Sequence, residues 1–214
     1  MSKNLKKRIY TSLALVFLMY LTLSFNSILV FSLLIISVLS LLEFFNIIKK
    51  ITKKKIYLIL FKSVFIIYVI IFSLMFFSFS NFFQLKILLF SLLFGCVASD
   101  IGGFVFGRIF KGPRLTKISP NKTISGAIGS LIFTCIIVSV SIFYFTKNFS
   151  YLILIISVMT SIGCQLGDLF FSYLKRKSKL KDTGNLLPGH GGILDRIDGI
   201  LLAVPVGLLF SLLT

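Results

Sequence analysis

Six acidic residues serve the whole 214-residue chain, and five of them are aspartates gathered in two polar stretches, residues 99–126 and 167–198. Asp100 lies in the first stretch; Asp168, Asp182, Asp195 and Asp198 lie in the second. Asp195 and Asp198 are three apart, so a helix starting there sets both on one face near its N-terminus, with Arg196 between them. Asp168 closes an otherwise apolar run, where a carboxylate costs several kcal/mol unless a cation or metal meets it. Carboxylates drawn from different helices are hard oxygen ligands of the kind a divalent ion on a nucleotide polyphosphate requires, with phosphate and water completing the shell. The same stretches are cationic. Arg108, Lys111, Arg114, Lys117 and Lys122 belong to the first, and Lys175, Arg176, Lys177, Lys179, Lys181 and Arg196 to the second. Such side chains neutralise phosphate, and the glycines of the first stretch let backbone amides approach one closely. The bland alternatives are a solvated basic loop for the first stretch and a set of helix caps and ion pairs for the second.

His190, in PGHGG, is the chain's single histidine, and its glycine neighbours leave its ring unshielded. A lone histidine with no cysteine in reach makes no zinc site, which leaves a proton-transfer or phosphate-contact role or a structural hydrogen bond. Ser172 and Ser178 lack an elbow motif, so no nucleophilic triad is indicated. Cys96, Cys135 and Cys164 show neither CxxC spacing nor a loop pair. Glu43 closes the second apolar run and is expected to pair with basic residues at the interface rather than to do chemistry.

The elements that must hold these residues are set by composition. With 57% hydrophobic and only 14% charged residues and a mean hydropathy of +1.04, the chain cannot cover a water-soluble surface, which excludes the ordinary globular class. Seven apolar runs are long enough to cross a bilayer core of about 30 Å: Ile9–Phe25, Ser27–Ile48, Ile56–Phe79, Phe82–Ser99, Ile124–Phe145, Tyr151 to about Ser172, and Ile197–Leu213. None alternates like a membrane β-barrel strand, so the fold class is all-α, a polytopic protein of about seven transmembrane helices. The third run is long enough to tilt or kink. All of the 23 lysines and arginines except Lys62, Lys86 and Lys147 fall in four stretches on alternate sides of these runs. The positive-inside rule then places the N-terminus in the cytoplasm, the C-terminus outside and both aspartate stretches on the cytoplasmic face. Lys62 and Lys86 sit near span ends and are expected to snorkel. The net charge of +17 is thereby a mark of topology, with anionic lipid headgroups as its natural partner and no nucleic acid required. The basic N-terminal stretch followed by an apolar run imitates a signal peptide, but no small-residue cleavage site follows, and it reads as an uncleaved first span.

At the residues of the two polar stretches the chain resembles the phosphatidate cytidylyltransferases, or CDP-diacylglycerol synthases. The family's C-terminal signature runs, in outline, S-x-x-K-R-x4-K-D-x-G-x2-hydrophobic-P-G-H-G-G-hydrophobic-x-D-R-hydrophobic-D. Ser172, Lys175, Arg176, Lys181, Asp182, Gly184, Pro188, Gly189, His190, Gly191, Gly192, Asp195, Arg196 and Asp198 match it in unbroken register. Asp100, Gly107, Arg108 and the run ISPNKT, Ile118–Thr123, match a second block. The matched blocks reach from Ser99 to Asp198, while the first three spans resemble the family in hydropathy alone.

The resemblance implies the reaction of CTP with phosphatidate to give CDP-diacylglycerol and diphosphate. It implies Mg²⁺ held by Asp168 and Asp195, with Asp198 and Asp100 as further candidate ligands and a monovalent cation such as K⁺ as a candidate beside it. Ser172, Lys175 and Arg176 would lie at the substrate phosphates, and Ser119 and Lys122 would close the site. Arg108, Lys181 and Arg196 are further substrate-binding candidates, and His190 joins the catalytic set. A homodimer and a multi-pass place in the cytoplasmic (inner) membrane are also implied. On this reading residues 1–81 are N-terminal transmembrane helices and residues 82–214 the catalytic region. Two positions depart from the family pattern: Ser125 and Phe171 stand where glutamates are common, which shifts weight for the metal onto Asp100 or Asp198.

A related membrane cytidylyltransferase or CTP-dependent kinase acting on an isoprenoid or ether lipid would use the same groups. A CDP-alcohol phosphatidyltransferase would need a D-G-x2-A-R spacing that is absent. A transporter would place its ionisable residues at mid-membrane in an internal repeat, whereas here they gather at one face. The topology is directly checkable: a reporter fused after Thr214 is expected to read as extracytoplasmic, and a cytoplasmic reading contradicts the seven-span count.

Overall fold

The computed structural model describes residues 3–147, 149–184, 186 and 191–213, the side chains of residues 3–9 and 213 excepted. Its elements are α1 (Lys3–Ser24), α2 (Asn26–Ile51), α3 (Lys55–Ser80), α4 (Phe83–Phe110), α5 (Ile124–Thr146), α6 (Tyr151–Lys177) and α7 (Leu194–Leu213). No strand occurs among the described residues, and one isolated bridge joins Arg114 to Thr123. Helices satisfy their backbone groups internally, which an apolar surrounding demands. Five of them, α2 to α6, are long and apolar enough to cross a membrane, whereas the apolar part of α1 is the shorter Tyr10–Ser24. α3 runs unbroken over Lys55–Ser80, and the proline within a helix falls in α7, at Pro205.

The helix ends differ from those expected from hydropathy. α4 does not stop near Ser99 but continues to Phe110, so Asp100, Gly102, Gly103, Gly107 and Arg108 are helical rather than part of a loop. It stops at Lys111, whose φ of 44° is left-handed, just before Gly112 and Pro113. The glycines that looked available to a phosphate are used instead for close packing of α4 on α5. A Cβ on Gly102 would lie 2.5 Å from the Gly129 carbonyl oxygen and 2.8 Å from Phe133 Cβ, and one on Gly126 2.8 Å from the Gly103 carbonyl oxygen. α5 starts cleanly, because the Thr123 side chain accepts a bond from Gly126 N at 3.1 Å. α6 continues through Lys177, which carries Lys175 and Arg176 on its last turns, where cations suit the helix dipole.

The chain forms two compact units. One comprises the residues up to Asn81 together with Leu174–Ile197; the other comprises Phe82–Tyr173 and the chain from Asp198 on. In the first, α2 packs on α1 and α3. The Phe44 and Phe65 rings stack with centroids 3.8 Å apart. Ser37 and Ser73 hydroxyls bond at 2.9 Å. Lys62 Nζ lies over the Phe45 ring. The outer face of α3 exposes Ile67, Ile71 and Leu74, side chains that a water-soluble chain would bury. In the second unit, Ser130 Oγ donates to the Ser99 carbonyl across the α4–α5 seam at 2.7 Å. α6 and α7 meet backbone to backbone, with Gly163 against Ala203 and Gly167 against the Asp198 carbonyl. Seams of small residues of this kind are how helices associate without a hydrophobic driving force between them.

Gly102→Val is therefore expected to destabilise the protein by about 1–3 kcal/mol through overpacking. The check is a lower melting temperature in detergent.

Candidate functional site

Asp195 sits in the first turn of α7, its side chain 7% exposed, and each of its oxygens is engaged. Lys175 Nζ lies 2.7 Å from Oδ1. Oδ2 accepts from Thr183 N at 2.7 Å and Gly192 N at 3.1 Å, and Thr183 Oγ1 lies 3.0 Å from it. Burial alone would raise the Asp195 pKa, but the Lys175 ammonium and the two backbone N–H groups outweigh it and hold the carboxyl below the usual aspartate range. The motif segment thus folds back on its own aspartate. A Cβ on Gly191, at φ 87°, would lie 3.1 Å from Asp195 Oδ2, and only glycine adopts that backbone readily.

Glu43 belongs to the same unit and corrects an expectation. Among the described residues, no lysine pairs with it. It is 3% exposed and accepts from Thr183 Oγ1 at 2.6 Å, Ile193 N at 3.0 Å and Leu194 N at 2.9 Å. The reason is physical: a carboxylate buried this deeply on α2 is out of reach of water, and the free N–H groups at the start of α7 are donors that themselves lack partners within the helix.

In the second unit, Lys122 forms an ion pair with Asp168 Oδ2, and the Ser172 hydroxyl donates to Asp168 Oδ1 at 3.3 Å. Lys122 is placed by the short 111–123 connection, where its N–H bonds the Ser119 carbonyl at 3.0 Å and its carbonyl accepts from Leu115 N at 2.8 Å. Asp168, Lys122 and Asp100 line one cavity of about 180 Å³, with Asn121, Gln165 and Ser130 among its walls. Gln165 Nε2 is tied to the Ala127 carbonyl at 3.1 Å and to Ser161 Oγ at 3.2 Å. Ser125, in place of a family glutamate, accepts from Gly112 N at 3.2 Å and bonds Thr123 Oγ1 at 3.0 Å, closing the turn that precedes α5. Phe171, in place of the other, is buried with its ring 5.3 Å from that of Phe170.

The remaining sequence candidates are placed as follows. Arg176 is exposed on α6 and its Nη1 reaches the Leu180 carbonyl at 3.4 Å. Lys181 and Arg196 are exposed, and Asp182 lines a surface groove with Asn46, Lys49 and Lys50. Arg108 lies over the Phe104 ring, on the last turn of α4. Asp198 is 9% exposed, and its Oδ1 accepts from Gly199 N at 2.9 Å. His190 lies outside the described residues, as do Pro188 and Gly189. Sequence reading missed Thr183 and Glu43 as partners of the motif. Thr183 lay inside the signature at a variable position, and nothing in the chain linked Glu43 to it.

The donor set suits a hard divalent cation. Asp100 and Asp168 share one cavity, and the Lys122 ammonium on Asp168 marks a position where positive charge is held. No three His, Cys, Asp or Glu side chains gather into a ligand set among the described residues. Phosphate oxygens and water would therefore have to complete the shell.

The family model described as the Cytidylyltransferase family matches residues 2–213. A phosphatidate cytidylyltransferase from Staphylococcus haemolyticus is 44% identical over 110 residues, covering 50% of this chain and 42% of that protein. One from Rickettsia felis is 39% identical over 133 residues, covering 57% and 58%, and one from Mycobacterium leprae is 40% identical over 113 residues, covering 52% and 36%. The chain spans about half the length of the curated relatives it matches.

The lowered Asp195 pKa carries a sign. Its stabilising contribution is full above the ordinary aspartate value of about 3.9 and is lost as pH falls through the lowered one. Without divalent cations, Asp195→Asn is expected to melt below wild type at neutral pH, with the gap closing in strong acid. A gap independent of pH contradicts this.

Proposed function

The chain belongs to the cytidylyltransferase family, and on that premise we propose that it transfers the cytidylyl group of CTP to phosphatidate, releasing diphosphate. The observation that carries the reading is that two of the candidate aspartates are met by candidate cations, Lys122 on Asp168 in one unit and Lys175 on Asp195 in the other. A carboxylate paired with an ammonium is suited to bind and orient phosphate whose charge rises during transfer.

A phosphate oxygen of the lipid attacks the α-phosphorus of CTP in line. The new P–O bond forms as the bond to the β-phosphate oxygen breaks, and diphosphate leaves with that electron pair. A phosphate monoester is already ionised near neutral pH, so neither a protein nucleophile nor a strong base is required. Lys122 and Lys175 would neutralise the reacting phosphates, and Ser172, beside Asp168, would donate to one. Arg176, Lys181, Arg196, Arg108 and Ser119 are proposed for the outer phosphate contacts. His190 is proposed for proton transfer or phosphate contact.

Mg²⁺ is the proposed cofactor, supplying charge neutralisation on phosphate oxygens when bound. Asp168 would hold it, with Asp100 on the same cavity; Asp195 and Asp198 are proposed on the family resemblance, as are a monovalent cation and a homodimer. Seven spans, a cytoplasmic N-terminus and motif residues at the cytoplasmic face of an inner membrane complete the proposal, supported by the placement of lysines and arginines along the chain.

Incubation of the purified protein with CTP, phosphatidate and Mg²⁺ is expected to give product with wild type and at least about 100-fold less with Asp168→Asn or Asp195→Asn. Equal turnover in either variant sinks that residue's assignment. Turnover with a prenyl or ether lipid but not with phosphatidate points to the related transferase instead.

A further inference from the structure

We propose that Glu43 is a positioning residue for the transfer reaction, acting through Thr183 and the first turn of α7 on Asp195; the proposal rests on the reading of the function above. Glu43 lies outside both motif blocks, on an otherwise apolar stretch of α2, with Phe44, Ile47 and Ile48 buried around it. A carboxylate 3% exposed in such a setting persists only where its oxygens are fully used. Among the described residues, the three donors they receive all come from the motif segment. Thr183 Oγ1 and Leu194 N bond Oε2, and Ile193 N bonds Oε1.

These contacts do two things. Leu194 is the first residue of α7, so the two backbone bonds satisfy N–H groups that a helix start leaves open, with negative charge at its positive end. Glu43 caps α7 from another helix. The third contact passes the constraint on. Thr183 sits 2.6 Å from Glu43 Oε2 and 3.0 Å from Asp195 Oδ2, and its own N–H bonds the latter oxygen at 2.7 Å. The hydroxyl carries one proton, and the shorter contact directs it to Glu43. Thr183 is thereby anchored on one carboxylate while its amide orients the other.

The surrounding backbone has closed on this arrangement. A Cβ on Gly192 would collide with Thr183 Oγ1 and the Glu43 carboxylate, and one on Gly184 would lie 2.7 Å from Glu43 Oε1. Two signature glycines are thus explained by an acid that lies 140 residues before Thr183. A group that fixes the direction of a reacting-site side chain affects turnover more than ground-state binding.

The test compares Glu43→Gln, Thr183→Val, Thr183→Ser and the double variant Glu43→Gln/Thr183→Val in the full-length protein, with CTP and phosphatidate as substrates. Glu43→Gln and Thr183→Val are each expected to lower kcat about 10- to 100-fold per folded molecule with little change in either KM. The double variant should be no worse than the poorer single one, because both act along one path. Thr183→Ser should recover most of what Thr183→Val loses. Hydrogen exchange supplies a readout independent of turnover: Glu43→Gln should speed exchange in a peptide covering Ile193 and Leu194. Wild-type kcat in folded Glu43→Gln, additive losses in the double variant, or unchanged exchange at Ile193 and Leu194 would each overturn the proposal. Should Glu43→Gln fail to fold, the Thr183→Val and Thr183→Ser pair decides, equal losses in the two overturning it. Should wild type not turn over phosphatidate, it is the reading of the function that fails, and exchange at Ile193 and Leu194 then decides the positioning alone.

Discussion

A carboxylate beside hydrocarbon is tolerable only when cations or donors meet its oxygens, and the placement of three of this chain's acids follows from that constraint. Asp168 is met by Lys122 and Ser172, Asp195 by Lys175 and a fold of backbone around it, and Glu43 by a hydroxyl and two amides. Ion pairs serve the two aspartates that the proposed reaction would ask to trade partners with phosphate or metal. A lysine ammonium can yield its place to another charge as substrate arrives. Backbone amides cannot, so Glu43, held largely by amides, suits a fixed role.

The apolar medium also explains why glycine is concentrated where it is. Between helices surrounded by lipid-like side chains, burying more apolar surface gains little, and contact must come from close approach. α4 and α5 approach through Gly102, Gly126 and Gly129, and α6 and α7 through Gly163, Gly167 and Gly199. The seams carry Asp100 on α4, Asp168 on α6 and the turn that presents Lys122, so the precision of the cavity between them depends on residues with no chemistry of their own.

How far the sequence could be read followed from which forces were local. Continuous apolar runs imply helices because, closed barrels apart, the backbone has no other way to satisfy itself in hydrocarbon, and each of the seven runs lies within a helix to within one residue at its ends. Their ends were less legible. Hydropathy alone ends α4 at Ser99, but the helix goes on to Phe110 because glycines at 102, 103 and 107 let it keep packing on α5, a fact of tertiary contact. The motif residues were legible as a set through their register, since spacing within one segment is preserved in sequence. Glu43 was not, because its partners lie far along the chain and the lysines nearest in sequence offered a plausible but wrong pairing. Ser125 shows the reverse: read as a missing acid, it closes a turn through Gly112 and Thr123.

The proposed reaction is cytidylyl transfer from CTP to a lipid phosphate, and the fate of the nucleotide's phosphates tests it most directly. With CTP labelled at the α-phosphate, phosphatidate and Mg²⁺, label is predicted to enter the lipid fraction in step with release of one diphosphate per lipid modified. Label passing to lipid only from the γ-phosphate, with CDP released, would contradict it and make the protein a kinase.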